Sequence, residues 1–328
     1  MVTLGLTYVF LSGLCNGLFT APMKIIPRWK WENIWFVFIL TACLAMPSAM
    51  VFSAIGSPRE IFAQSPGGAV AAAVGFGFAW GFGAILFGLS VHHLGVSVAN
   101  SLVIGLSSAL GSIAPLIVRG QLRLDVRQGV LFLGILTFLA GVWLCGRAGR
   151  MRDKDAPRAS LAGYLAAVGA GVMSAVFNIG YSLALPIADT GEAMGYSRFD
   201  ATNCIWLLML GAGSIPNIGY CGYLMRINRT GRLLAEAPSP MTWGLSIVMG
   251  LLWGGSIFLY GAATPRLGDI GPSIGWPLSL AVALLVANLM GVLLKEWRGV
   301  DPHAVRLMRQ GIATLLVAIV ICGASSAL

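Results

Sequence analysis

The stretch AVAAAVGFGFAWGFGAILFGLSV, residues 69–91, holds no charged side chain in twenty-three positions. The hydrocarbon core of a bilayer is about 30 Å thick, and roughly 20 apolar residues of helix cross it. A surface helix of a soluble protein needs one polar face, and this run has none. It therefore reads as a membrane span, and the reading extends along the chain in both directions. His92-His93-Leu94-Gly95 interrupts the apolar sequence, and a second run follows at 96–118. Further runs near 4–23, 33–54, 128–146, 161–186, 201–224, 243–264, 271–294 and 309–327 bring the expected spans to ten. Composition agrees, since 57% of the 328 residues are hydrophobic and only 10% charged. Mean hydropathy is +0.84. Soluble proteins carry about 25% charged residues, and a disordered chain needs high charge with low hydrophobicity. The expected fold class is all-α integral membrane.

The net charge of +9 takes its meaning from position. Lys and Arg are not gathered on one folded module, as nucleic-acid binders gather them, so no nucleic-acid partner is expected. Loops after odd-numbered spans carry 15 of them: Lys24, Arg28 and Lys30, then Arg147, Arg150, Arg152, Lys154 and Arg158, then Arg226, Arg229 and Arg232, and finally Lys295, Arg298, Arg306 and Arg309. The opposite side carries 6, namely Arg59, Arg119, Arg123, Arg127, Arg198 and Arg266. The positive-inside bias puts the odd loops in the cytoplasm of a bacterial-type inner membrane and both termini in the periplasm. No charge precedes Lys24, so the first span lacks the basic leader of a cleaved signal peptide. The six cysteines lie in or beside apolar runs without CxxC spacing and are expected to be buried thiols.

The sequence also repeats. Trp80-Gly81, Gly88 and Leu94-Gly95 recur at one constant spacing as Trp253-Gly254, Gly261 and Leu267-Gly268, and Phe87 matches Tyr260 in kind. A weaker echo relates Gly13-Leu14 and Phe19 to Gly171-Val172 and Phe177. The ten spans thus divide into repeats of five at 1–147 and 161–328, joined by a charged linker at 148–160 that contains Pro157. Five is odd, so the second repeat is inverted in the bilayer, an arrangement found in secondary transporters. Gly13/Gly17, Gly77/Gly81 and Gly250/Gly254 have the small-xxx-small spacing of close helix seams.

No Asp, Glu, Lys or Arg falls at the centre of a span. That excludes a voltage sensor, an Arg-rich pore and a pump with a mid-membrane carboxylate relay, and it favours an uncharged polar substrate. Neutral polar groups do lie at depth: Asn16, Thr20, Asn100, Ser101, Asn178, Tyr181, Asn203, Asn217, Tyr260, Ser273 and Asn288. Each amide in hydrocarbon needs a partner, either a neighbouring helix or a bound polyol. Trp80, Trp253 and Trp276 lie within spans, where an indole face can stack on the C–H face of a sugar. Trp29, Trp31, Trp35, Trp243 and Trp297 lie near span ends, the usual place of interfacial anchors. His92 and His93 close span three and His303 falls in a loop, so solvated or capping roles are expected. There is no HExxH or phosphate-binding loop, and Gly75-Phe76-Gly77 lies inside a span rather than after a strand. Neither catalysis, nor a cofactor, nor a metal is expected. Short loops weigh against a receptor or scaffold, and no obligatory protein partner is inferred.

At Ala21-Pro22-Met23-Lys24, Trp29-Lys30-Trp31-Glu32, Trp80-Gly81 with Gly88-Leu89 and Leu94-Gly95, Ile274-Gly275-Trp276 and Leu294-Lys295-Glu296-Trp297 the chain resembles a known family. That family is the L-rhamnose–proton symporters, a branch of the drug/metabolite transporter superfamily, and the resemblance covers essentially the whole chain. It implies uptake of L-rhamnose, or of L-lyxose or L-mannose, with a proton, and alternating access is the expected mechanism for L-rhamnose or a related 6-deoxy sugar. One departure is that Pro272 and Ser273 stand where the resemblance implies an acidic residue, the nearest acid being Asp269. Asn16, Asn100, Asn178 and Asn288 are expected to meet sugar hydroxyls. Trp80, Trp253 and Trp276 would stack, and Tyr260 completes the substrate set. The proton-coupling candidates are Glu32 at the head of span two, Glu296 at the tail of span nine and Asp200 opening span seven. Lys30 and Lys295 stand ready to pair with the first two instead. A drug/metabolite-type exporter, or a carrier of another small neutral solute, is the competing reading.

Overall fold

The apolar runs become ten helices long enough to cross a membrane in a computed structural model that describes residues 2–94, 96–123, 125–152, 160–236, 240–293 and 295–328. They are α1 Val2–Leu18, α2 Trp31–Ala54, α3 Gly67–Leu94, α4 Val96–Val118 and α5 Val126–Arg152, followed by α6 Leu161–Ala193, α7 Arg198–Ile227, α8 Pro240–Ala263, α9 Gly271–Leu293 and α10 Pro302–Ser325. Among the described residues there is no strand. Gly95, Leu294 and 153–159 of the linker, with Asp153, Lys154, Asp155, Pro157 and Arg158, lie outside the described residues, as do the side chains of Lys24 and His92.

Helix ends depart from the hydropathy in instructive ways. α10 begins at Pro302, well before its apolar run, because Asp301 caps it by accepting from the His303 N–H at 2.7 Å and proline occupies the first turn. His303 therefore sits in a helix rather than in the expected loop. α2 is not uniform either. Leu40–Ala45 winds as a π-helical segment between two α-helical ones. It lies against α8, where a Cβ on Gly250 would stand 2.5 Å from the Thr41 Cβ and one on Gly254 2.6 Å from the Met46 Sδ.

Within each unit, helix contacts keep the parity expected of spans that alternate in direction. Gly77 and Gly81 of α3 meet Met209 and Gly213 of α7 in ascending order, as parallel helices must, and so do α1 with α9 and α2 with α8. All three expected small-xxx-small pairs lie on these seams. At α1–α9 a Cβ on Gly13 would come within 2.5 Å of the Val282 Cβ and one on Gly17 within 2.6 Å of the Ala283 carbonyl. Ser12 and Ser279 exchange a buried hydrogen bond of 3.0 Å beside them.

The chain separates into two compact units. One comprises 1–17, 83–179 and 263–328, the other 18–82 and 180–262. The first unit is built on the antiparallel pair α5–α10. The buried residues of α10, Ala304, Met308, Gly311, Leu315, Ala318, Cys322 and Ser325, alternate fours and threes, the spacing of a coiled-coil seam. Small residues face bulk reciprocally, since Gly134 lies under the Cys322 Sγ and Gly311 under the Cys145 Sγ. Those thiols act as the small hydrophobes expected of them. All six cysteines are unpaired, and all but the half-buried Cys15 are buried. The second unit is held by the α3–α7 and α2–α8 seams.

Candidate functional site

In the first unit, proline chemistry creates a polar node. Pro115 lies inside α4 and has no N–H, so the carbonyl of Gly111, four residues earlier, loses its intrahelical donor. The fully buried Asn178 of α6 supplies the missing bond, donating from Nδ2 to the Gly111 carbonyl at 2.8 Å and to the Pro272 carbonyl of α9 at 3.1 Å. One turn away, Trp276 of α9 donates from Nε1 to the Ser107 carbonyl at 3.1 Å and its hydroxyl at 3.2 Å, and Ser107 donates to Ser174 of α6 at 2.8 Å. Gly111 is glycine because a Cβ there would stand 2.5 Å from the Trp276 Nε1. Two of the expected site residues, Asn178 and Trp276, are thus brought together. Asn288 instead bonds the Leu284 carbonyl of its own helix at 2.8 Å. Asn16 and Asn100 are half-buried, on α1 and α4.

In the second unit, Trp80 and Trp253 stack face to face, ring centres 5.4 Å apart and planes 10° from parallel. Phe38 packs edge-on to Trp253 at 5.8 Å, Trp35 lies 4.6 Å from Phe38, and Trp31 stacks on Trp35 at 5.2 Å. Trp31 and Trp35 therefore extend this aromatic row as well as standing near a span end. Trp35 donates to the Asn217 Oδ1 at 3.2 Å, while Asn217 Nδ2 bonds the carbonyls of Gly81 and Gly213 at 3.0 and 2.9 Å. Tyr260 joins a separate, sealed trio, with Tyr181 stacked on Trp206 at 4.4 Å and Tyr260 at 5.6 Å from Tyr181.

The three carboxylates sit in different settings. Glu32 is buried, and its Oε1 accepts from Thr230 Oγ1 at 2.7 Å and Asn228 Nδ2 at 3.0 Å. Around it, Asn33 donates to the Thr230 carbonyl at 3.0 Å and Trp29 to the Leu233 carbonyl at 3.1 Å. The Trp29-Lys30-Trp31-Glu32 motif is thus one side of a clasp holding the α7–α8 loop to the head of α2. The second motif makes a similar clasp in the other unit. Glu296 pairs with Arg152 at 2.9 Å, and the Arg152 guanidinium lies 5.1 Å over the ring of Trp297. Asp200 serves the head of α7, accepting from Ser197 Oγ at 2.6 Å while Ser197 caps its N–H at 3.1 Å.

A family model described as L-rhamnose-proton symport protein (RhaT) matches residues 1–327. The chain belongs to this family. An L-rhamnose-proton symporter of Klebsiella pneumoniae (strain 342) is 26% identical over 340 residues, covering 98% of this chain and 97% of its own. One of Escherichia coli O1:K1 / APEC is 25% identical over 337 residues, with the same coverage of 98% and 97%. A solved crystal structure of 15% sequence identity superposes with a TM-score of 0.63 over 98% of this chain and 95% of that one, which shows a common fold.

Some groups escape a reading of the sequence. Asn203, one residue in a long list of deep polar groups, is 1% exposed with neither amide atom hydrogen-bonded, and the buried hydroxyls of Ser108 and Ser182 also lack partners. Only the packing of neighbouring helices separates such a group from Asn217, which is fully satisfied.

Proposed function

We propose that this chain takes up L-rhamnose or a closely related 6-deoxy sugar together with a proton, by alternating access across the bacterial inner membrane. The observation that carries the reading is the family match over residues 1–327, in a chain whose deep polar groups are amides, hydroxyls and indoles. Such groups suit a neutral polyol. Hydroxyls meet Asn178 and the half-buried Asn16, Asn100 and Asn288, and C–H faces meet Trp80, Trp253, Trp276 and Tyr260. The 6-deoxy methyl finds apolar wall everywhere.

The architecture we propose is two inverted five-helix repeats, 1–147 and 161–328 with a linker at 148–160, within the drug/metabolite transporter superfamily. Two observations support it. The breakpoints of the compact units fall in or just beyond α1, α3, α6 and α8, the two pairs that the repeat relates. Trp80 and Trp253, equivalent by the repeat, stack on each other, as equivalent residues beside a two-fold axis do. The bias of 15 basic residues against 6 supports cytoplasmic odd-numbered loops and periplasmic termini.

Of the three carboxylates, Glu32 is the best proton carrier. Its acceptor atom faces two neutral donors, so protonation breaks no direct ion pair there, whereas Glu296 is held in an ion pair with Arg152. A proton on Glu32 also weakens a clasp on the cytoplasmic side, which ties protonation to opening. Adding L-rhamnose to de-energised cells that make the protein is expected to alkalinise the medium. Glu32→Gln is expected to abolish that signal and keep L-rhamnose counterflow. Unchanged alkalinisation in Glu32→Gln would remove Glu32 from the role, and no pH change in the wild type with any sugar would overturn symport.

A further inference from the structure

Asn203 lies in α7, and both its amide nitrogen and its amide oxygen are buried without a hydrogen bond. Leaving such a group unpaired costs about 1–3 kcal/mol on the evidence of protein mutations. A leucine would avoid that cost. The surroundings add to the imbalance. Trp206, three residues on and so on the same flank of the helix, stacks at 4.4 Å on Tyr181 of α6. The next residue of α6, Ser182, has a buried hydroxyl with no partner. Its carbonyl is deprived as well, because Pro186 lies inside α6 and has no N–H to return to it. One amide and one hydroxyl without partners, and one carbonyl without its helical N–H donor, therefore lie on the two helices that the Tyr181–Trp206 stack joins. All of them belong to the second unit.

We infer that Asn203 and Ser182 form a sugar-hydroxyl subsite, with the Tyr181–Trp206 stack as its apolar wall. An amide is matched to a vicinal diol, since Oδ1 accepts from one hydroxyl while Nδ2 donates to its neighbour. The Ser182 hydroxyl and carbonyl add one donor and two acceptors for a third. The aromatic trio is sealed, with Tyr181 and Trp206 0% and Tyr260 2% exposed, so the sugar enters only when this region opens. Closing over the sugar then satisfies groups that the protein itself leaves unpaired. This assignment rests on the proposed uptake of a 6-deoxy sugar and adds where its diol is held.

The full chain reconstituted in proteoliposomes provides the test, with L-rhamnose and its monodeoxy analogues as probes. Asn203→Leu is expected to raise the KM for L-rhamnose at least tenfold and to abolish the rise in melting temperature that the sugar gives the wild type. Without sugar its melting temperature should equal or exceed the wild-type value. Ser182→Ala is expected to raise KM severalfold and to lose discrimination against one monodeoxy analogue. A KM within twofold of wild type for Asn203→Leu, together with a higher melting temperature, would mean that the amide holds only buried water and would overturn the subsite. If Asn203→Leu does not accumulate, Ser182→Ala decides alone, and an unchanged analogue profile overturns the proposal. Should the wild type transport another neutral sugar and not L-rhamnose, the substrate reading fails while the same comparison with that sugar still decides the subsite.

Discussion

Asn178 shows how much one side chain can hold in a membrane interior. Its amide replaces the N–H that Pro115 cannot offer and bonds a second carbonyl at Pro272. Asn178→Leu keeps the volume and leaves the Gly111 carbonyl unpaired, at about 1–3 kcal/mol for that acceptor alone. The variant is expected to melt several degrees lower in detergent. Adding Pro115→Ala restores a backbone N–H four residues after Gly111, so the double variant should recover part of the loss. A double-mutant cycle in melting temperature checks this, and strictly additive effects would contradict the pairing. Asn217 has a related role by another route, bonding the carbonyls of the glycines where α3 crosses α7. Both were visible in the sequence as deep amides, but nothing there distinguished them from the unpaired Asn203.

Elements in this protein are joined by glycine at defined crossings, and neighbouring glycines differ sharply in what they tolerate. A Cβ on Gly75 meets nothing within 4 Å, whereas one on Gly77 would run into the backbone of Met209. Gly75→Ala is expected to leave folding intact, with a gain of up to about 1 kcal/mol from helix propensity. Gly77→Ala forces α3 and α7 apart and is expected to sharply reduce the yield of monodisperse protein. Size-exclusion profiles and melting curves of the two variants give the comparison, and equal behaviour would refute the seam. The small-xxx-small spacing was legible because it is local. The π-helical segment of α2 has a local mark too, Pro47, which offers no N–H to the Cys43 carbonyl four residues earlier, but hydropathy does not register it. The early start of α10 could have been read from Asp301-Pro302, a cap that hydropathy ignores.

For the molecule as a whole, side contacts keep to one face or the other within each unit. Residues in the loops after odd-numbered spans, or at the helix ends beside them, meet one another, as Glu32 does Asn228 and Arg152 does Glu296. On the other face Arg119 reaches the Asp269 carbonyl at 3.4 Å and Arg127 the Leu267 carbonyl at 2.9 Å. With the charge bias this makes a prediction about orientation. Alkaline phosphatase fused after Gly195 is expected to be active in the periplasm, and fused after Arg229 to be inactive. The reverse pattern would turn the protein over. The two family motifs fall on the odd-loop face as clasps, one in each unit, which explains why Trp-Lys-Trp-Glu and Leu-Lys-Glu-Trp read as distinctive although neither lies at depth.

The sequence by itself determined the solvent of this protein, its ten crossings and its close seams. Each of these follows from short-range facts, namely the length of an apolar run, a shortage of charge and a four-residue spacing of glycines. It also supplied the deep amides and indoles from which a sugar site can be made. Tertiary structure alone decided which of them have work within the fold. Asn178, Asn217 and Glu32 find donors or acceptors more than sixty residues away along the chain, while Asn203 finds none. In hydrocarbon an amide is stable only when paired, so pairing, and the lack of it, depends on which helices meet, and no local pattern records that.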